Sequence, residues 1–87
     1  MLRLRVLSGN GGDGAAYALL PDRPMMLGRS ARCDIVIKDP GLSRRNCRLL
    51  AHDGEVRIAD LGSSNGLRVN GKRVREATCR AGDRLRV

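Results

Sequence analysis

Closely spaced turn signals are the feature that most constrains how this chain can fold. Two residue pairs, Asp53-Gly54 and Asn70-Gly71, separate short segments in which apolar and polar side chains alternate. Asn, Asp and Gly tolerate the positive φ angles that a two-residue hairpin turn demands, so each pair predicts a β-hairpin. No long segment repeats its apolar residues with a helical period. Many short strands between turns predict an all-β sandwich or barrel.

The predicted strands alternate apolar and polar residues or are rich in β-branched residues. They cover residues 2–7, 15–20, 25–27, 34–37, 46–51, 55–60, 67–69, 72–74 and 84–87. The Gly-rich segment 8–14 is predicted to be the turn between the first two. The sequence stops as its last strand starts. If the fold needs one more strand beside the first, the chain exposes a sheet edge or borrows a strand, and such an edge would permit oligomerisation.

The length of 87 residues predicts one small domain over positions 1–87 with a modest core. Tyr17 is the only aromatic residue, so that core must consist of aliphatic side chains, methionine and alanine. The formal net charge of +8 favours anionic partners or simply reflects a solvated surface. The lack of aromatic side chains for base stacking argues against specific nucleic-acid binding.

Cys33, Cys47 and Cys79 are widely spaced and show no metal-ligand pattern with histidine, so we expect buried thiols and no metal site. Free buried thiols fit a reducing compartment, and we expect a cytoplasmic protein. The segment Met1–Arg5 alternates apolar and basic residues, which is typical of neither a signal peptide nor a membrane span.

Three polar segments follow predicted strands and combine small turn residues with hydrogen-bond donors. They are Leu27–Ser30, Leu42–Arg45 and Gly62–Gly66. An arginine fork, hydroxyl groups and an amide that converge from separate loops suit a phosphate group. Taken singly, each segment has a simpler explanation, because an arginine after a strand is usually surface charge and Asn-Gly is common in turns.

The ordered set of these segments resembles the forkhead-associated (FHA) family of phosphothreonine-binding modules. The matching residues are Gly28-Arg29, Ser43, Asp60, Ser64-Asn65-Gly66 and Val69-Asn70-Gly71, within a resemblance that extends from about Arg3 to Val87. It implies a two-sheet antiparallel β-sandwich whose loops at one end bind a phosphothreonine peptide of a partner protein.

The resemblance also implies a role for each loop residue. Arg29 and Ser43 would hold the phosphate, Ser64 would add a hydroxyl, and Arg44 would be an auxiliary phosphate contact. Asn65 would hold the peptide main chain. Gly28 and Gly66 would shape the loops.

Asn46 departs from the family pattern, which usually has histidine three positions after the serine. That position braces the binding loops from within, and asparagine retains a donor and an acceptor for the purpose. The departure leaves open a second function, phosphate-independent protein–protein assembly on the same scaffold.

The sequence shows no catalytic constellation. His52 stands alone beside a predicted turn, and no serine or cysteine has a visible general base. We therefore expect a binding module that is not an enzyme and needs no cofactor.

Overall fold

The computed structural model describes residues 2–8 and 14–87, which form strands and turns without a helix. No helix in this part of the chain is therefore long and apolar enough to cross a membrane. The ten strands are β1 (Arg3–Leu7), β2 (Ala15–Ala18), β3 (Met25–Gly28), β4 (Ile35–Val36), β5 (Cys47–His52), β6 (Glu55–Asp60), β7 (Leu67–Val69), β8 (Lys72–Val74), β9 (Glu76–Arg80) and β10 (Arg84–Arg86).

The strands form two five-stranded sheets, with the orders β2-β1-β10-β7-β8 and β4-β3-β5-β6-β9. The β-sandwich predicted from the sequence is thereby confirmed. The sheets are mixed rather than antiparallel throughout, because β1 pairs with β10 in parallel and β3 pairs with β4 in parallel. Neither parallel pair is a hairpin, so local turn signals could not predict either pairing.

The core consists of the inward-facing residues of both sheets, as period-two alternation requires. Fully buried leucines dominate it, with Leu27, Leu49, Leu67 and Leu85 each at 0–1% exposure. All three cysteines are buried and free, as expected. Tyr17 is only partly buried and packs against this aliphatic cluster.

The last strand closes the first sheet by lying between β1 and β7. Residues Arg5 to Leu7 pair with Arg84 to Arg86, and the Val87 backbone N–H donates to the Leu7 carbonyl at 2.9 Å. Strand β1 therefore has a hydrogen-bonded neighbour on each side, β2 and β10, so among the described strands no open edge lies beside the first strand.

Strand β9 was not predicted from the sequence. Ala77 and Cys79 face inward and alternate with polar residues, so a weak period-two signal was present. Neither residue is a strong strand former, and no Gly or Pro separates β9 from β8.

Two hairpin turns have the predicted backbone conformation. Asp53 and Gly54 have φ angles of 51° and 76°, and Asn70 and Gly71 have φ angles of 50° and 84°. Positive φ at both central residues is the property of a type I′ turn. The predicted turn between β1 and β2 lies largely outside the described residues.

The Asn70 turn is tied to the turn before β10 by side-chain hydrogen bonds. Asn70 Nδ2 donates to Asp83 Oδ1 at 3.0 Å, and the Arg80 backbone N–H donates to Asp83 Oδ2 at 2.8 Å. The Arg80 N–H and the Asn70 amide both favour the carboxylate form and lower the pKa of Asp83. The Asp83 carboxylate therefore stabilises the end of the sandwich opposite the three polar loops.

We expect Asp83→Ala to lower the melting temperature at about pH 7. A carboxyl group with a lowered folded-state pKa stabilises the protein above its unfolded pKa, and this contribution is lost as the pH falls through the folded pKa. The difference from the parent chain should therefore shrink on acidification below the ordinary pKa of 3.8. Thermal melts across this pH range would measure it, with Glu76→Ala as an exposed control. A difference that does not change with pH would contradict the assignment.

Candidate functional site

The three polar segments lie in three loops at one end of the sandwich. Loop 1 (residues 29–34) follows β3, loop 2 (residues 37–46) joins β4 to β5, and loop 3 (residues 61–66) joins β6 to β7. Loops 1 and 2 meet at Gly28, the last residue of β3. A Cβ atom built there would overlap the Arg44 carbonyl oxygen and lie 2.8 Å from the Arg44 carbonyl carbon. Only glycine permits this approach of two backbones.

Backbone hydrogen bonds fix Arg29 and its neighbour onto loop 2. The Arg29 N–H donates to the Ser43 carbonyl, and the Ser30 N–H donates to the Arg44 carbonyl, both at 3.1 Å. The Arg29 side chain also donates through Nε to the Leu42 carbonyl at 3.1 Å. This bond anchors the base of the guanidinium group, so its terminal nitrogens project from a fixed point.

Ser43 links loop 2 to loop 3. The Ser64 backbone N–H donates to the Ser43 hydroxyl oxygen at 3.3 Å. Asn65 makes a second link, because its Nδ2 donates to the Gly41 carbonyl at 3.1 Å. The structure therefore brings Arg29, Ser43, Ser64 and Asn65 together. One N–H of the Asn65 amide is committed to Gly41, which leaves its other N–H and its carbonyl oxygen for a ligand.

Asn46 lies beneath the loops and is 2% exposed. Its backbone joins the loops, since its N–H donates to the Leu27 carbonyl at 2.8 Å and its carbonyl accepts from the Leu61 N–H at 3.1 Å. The side-chain Oδ1 accepts from the Ser43 N–H at 3.4 Å, whereas the buried Nδ2 has no partner. Asn46 thus joins the loops through its backbone and through its side-chain Oδ1.

The loops present arginine side chains without matching carboxylates. Arg29, Arg44 and Arg45 are exposed, and none has an ion pair within residues 2–8 and 14–87. Asp34 in loop 1 pairs with Arg23 outside the loops, and two further acidic residues are engaged with backbone donors. Asp39 Oδ1 accepts from the Gly41 N–H at 2.9 Å, and Asp60 Oδ1 accepts from the Ser63 N–H at 3.1 Å. The loop end therefore carries a positive field that suits an anion.

Sequence reasoning missed the role of Cys33 in this loop assembly. The Cys33 Sγ donates to the Arg44 carbonyl at 3.2 Å, the same oxygen that accepts from Ser30. No pattern around Cys33 pointed to this contact.

Burial raises the pKa of the nearby Cys47 thiol to about 12, so that thiol stays protonated at neutral pH.

His52 lies on the β5–β6 turn, away from the three loops, and its side chain is exposed. Its ring Nδ1 is hydrogen-bonded to Asp22, and this bond raises the pKa of His52. The described residues contain no group of three or more His, Cys, Asp or Glu side chains that could hold a metal ion.

The fold agrees with comparisons to known proteins. The family model for the FHA domain matches residues 25–87. The chain belongs to the FHA family. Its match includes all three loops and the strands β3 to β10 that position them.

Several relatives of known name support this assignment. The glycogen accumulation regulator GarA of Mycolicibacterium smegmatis is 34% identical over 87% of this chain. The chain spans about half the length of the bacterial curated relatives it matches, 49% in the case of GarA.

Solved structures show the same fold. The FHA domain of the CT664 protein from Chlamydia trachomatis superimposes with a TM-score of 0.77 at 29% identity, over 88% of this chain and 79% of that one. A structure from an analysis of phosphothreonine-dependent FHA domain interactions gives a TM-score of 0.76 at 31% identity, over 88% of this chain and 79% of that one.

We expect Gly28→Ala to destabilise the fold, because the added methyl would meet the rigid Arg44 backbone and force loops 1 and 2 apart. Overpacking of this kind costs about 1–3 kcal/mol. Urea denaturation would measure the loss. Gly41→Ala is the matched control in loop 2, since a Cβ there would meet nothing closer than 3.4 Å. Equal stability of the two variants would contradict the close approach at Gly28.

Proposed function

We propose that this FHA domain binds a phosphothreonine peptide of a partner protein through loops 1, 2 and 3. The observation that carries the proposal is the direct hydrogen bonding of the three loops around Arg29, Ser43 and Ser64. A phosphorylated threonine brings roughly −1.5 to −2 charges and three acceptor oxygens. An anchored guanidinium and two hydroxyl groups offer the donors that such a group needs.

Each loop residue has a distinct part in this proposal. Arg29 supplies the fixed charge and Arg44 an auxiliary one, while the Ser43 and Ser64 hydroxyls donate to the remaining phosphate oxygens. Asn65 reads the main chain of the peptide with the amide groups that Gly41 leaves unused. Gly28, Asn46 and Gly66 hold the loops in position without contacting the ligand. The chain therefore acts by binding rather than by catalysis, as a single domain over residues 1–87.

Relatives support this function. GarA is named as a regulator, and one structural neighbour comes from work on phosphothreonine-dependent FHA interactions. Three free buried cysteines fit a reducing cytoplasm, where protein phosphorylation is a common signal.

We expect Arg29→Ala to reduce affinity for a phosphothreonine peptide at least about 100-fold, because hydrogen bonds to charged groups contribute about 1.5–3 kcal/mol each. A peptide selected from a degenerate phosphothreonine library would serve as the ligand, and isothermal titration calorimetry would measure its affinity. Arg57→Ala is the control, since it removes the same charge from the outer face of the second sheet.

Arg29→Lys separates the role of the positive charge from that of the planar guanidinium group. It keeps the positive charge but loses the planar donor pair and the Nε bond to Leu42. We expect intermediate affinity with circular dichroism unchanged. Parent-like binding by Arg29→Ala would remove Arg29 from the site.

Phosphate-independent assembly is the second candidate, and the buried unpartnered Nδ2 of Asn46 favours it. An unsatisfied buried amide leaves the loops less firmly braced than a complete hydrogen-bond network would. The two functions differ in one result. The proposed phosphothreonine binding requires that phosphatase treatment of the partner abolish the complex, whereas an assembly module would still bind the dephosphorylated partner.

A further inference from the structure

The outer face of the first sheet carries a cluster of arginines that the loop site does not use. The pairing register places six of them on this face, which we call the arginine face: Arg3, Arg5, Arg68, Arg73, Arg84 and Arg86. Their strand neighbours Leu4, Val6, Leu67 and Leu85 are 0–3% exposed and face the core, which fixes the arginines as outward. All six arginines are exposed.

Several of these arginines are direct cross-strand neighbours. Arg5 pairs with Arg84, Arg86 with Arg68, and Arg68 with Arg73. In the antiparallel pairs Arg86–Arg68 and Arg68–Arg73, Cβ atoms directly opposite each other lie about 4.5–5.5 Å apart. Positive charge is therefore concentrated around Arg68 on this face.

The outward side chains of the described strands of this sheet include no acidic residue. The outward positions of β1, β2, β7, β8 and β10 contain arginine, alanine or leucine only. Within residues 2–8 and 14–87, Arg3, Arg68, Arg73 and Arg84 make no ion pair.

The second sheet shows that this pattern is not general to the chain. Its outer face mixes Arg48 and Arg57 with Glu55 and Glu76. A cavity of about 560 Å³ on that face has both signs of charge in its lining. The outer face of the first sheet is therefore the more positive of the two outer faces.

We propose that the arginine face docks on a membrane surface that contains anionic phospholipids. Guanidinium groups bind phosphate oxygens as a bidentate fork, and lipid headgroups can move laterally to match any arrangement of arginines. Arginine side chains on the central strands β1, β10 and β7 are long enough to reach a common plane despite the sheet twist.

The composition of the face favours a bilayer over other anionic partners. A protein partner would need a buried apolar or aromatic anchor, and among the outward residues only Leu7, Ala16 and Ala18 are apolar. Sequence-specific DNA recognition uses a helix or a β-ribbon inserted in a groove, and single-stranded nucleic acid is bound by stacking on aromatic side chains. The arginine face has neither feature. Attraction to an anionic bilayer needs charge alone.

The arginine face is separate from the phosphopeptide site. Arg29 and Ser43 lie in loops of the second sheet, whereas the face belongs to the first sheet. Arg73 on the face lies close to loop 3 at Gly66, where a built Cβ would lie 3.0 Å from Arg73 Nε. Membrane docking therefore does not depend on the proposed function.

Vesicle co-sedimentation tests this proposal with a pair of charge-matched variants. One replaces Arg3, Arg68 and Arg84 by Gln on the arginine face, and the other replaces Arg48, Arg57 and Arg80 by Gln on the second sheet. Each variant has a net charge of +5, compared with +8 for the parent chain. The vesicles are phosphatidylcholine with about one-third phosphatidylglycerol, and pure phosphatidylcholine vesicles are the neutral control.

We expect the parent to bind only the anionic vesicles, and binding to weaken as salt rises from about 0.1 M to about 0.5 M. The arginine-face variant should bind roughly 100-fold more weakly, and the second-sheet variant within about threefold of the parent. The arginine-face variant should melt no lower than the parent, because like-charge repulsion has been removed. Arg29→Ala should still bind the vesicles.

Other outcomes overturn the proposal. Equal losses in both triple variants would show that only net charge matters. Absence of parent binding to anionic vesicles would exclude docking. The face would be assigned to a different partner if the parent bound duplex DNA or polyglutamate more tightly than the vesicles and the arginine-face variant lost that binding. Loss of vesicle binding in Arg29→Ala would place the lipid phosphate in the loop site.

Discussion

The loop end depends on the close contact between Gly28 and the backbone of Arg44. This contact lets the Arg29 and Ser30 N–H groups reach loop 2, and it places the Arg29 side chain against the Leu42 carbonyl. Loop 3 is joined to loop 2 in turn, because the Ser64 N–H donates to the Ser43 hydroxyl oxygen. A side chain at position 28 would separate loop 1 from this chain of bonds, and the donors would no longer converge. The convergence of the loop donors therefore depends on how the backbones of loops 1 and 2 pack at Gly28.

The distribution of acidic residues explains how so many arginines stay available for other anions. Four aspartates accept hydrogen bonds from backbone N–H groups in turns or at strand ends: Asp34, Asp39, Asp60 and Asp83. These carboxylates stabilise the loops and compensate few arginines. Consequently the positive charge of the chain concentrates at the loop end and on the outer face of the first sheet.

Local signals predicted the two hairpins and the positions of the three polar loops, because turn residues and period-two alternation can be recognised within a few positions. Asp53-Gly54 and Asn70-Gly71 adopt the positive φ values that their types favour. The parallel pairing of β1 with β10 joins the two ends of the chain and has no local signature. The Arg44 carbonyl is likewise a backbone atom, so its bonds to Ser30 and Cys33 could not be inferred from side-chain types. The unpaired Nδ2 of Asn46 depends on atomic geometry rather than on residue identity.

The central claim is that three loops form a single anion-binding cradle, and an NMR titration tests it most directly. A phosphothreonine peptide would be added to the nitrogen-15-labelled chain while amide signals are followed. The account predicts that the Arg29, Ser43 and Ser64 amides shift together with one dissociation constant. Gly54 and Gly71 at the hairpin turns and Gly82 at the turn between β9 and β10 should remain unchanged. Shifts confined to one loop, or centred on the hairpin turns, would contradict a shared cradle.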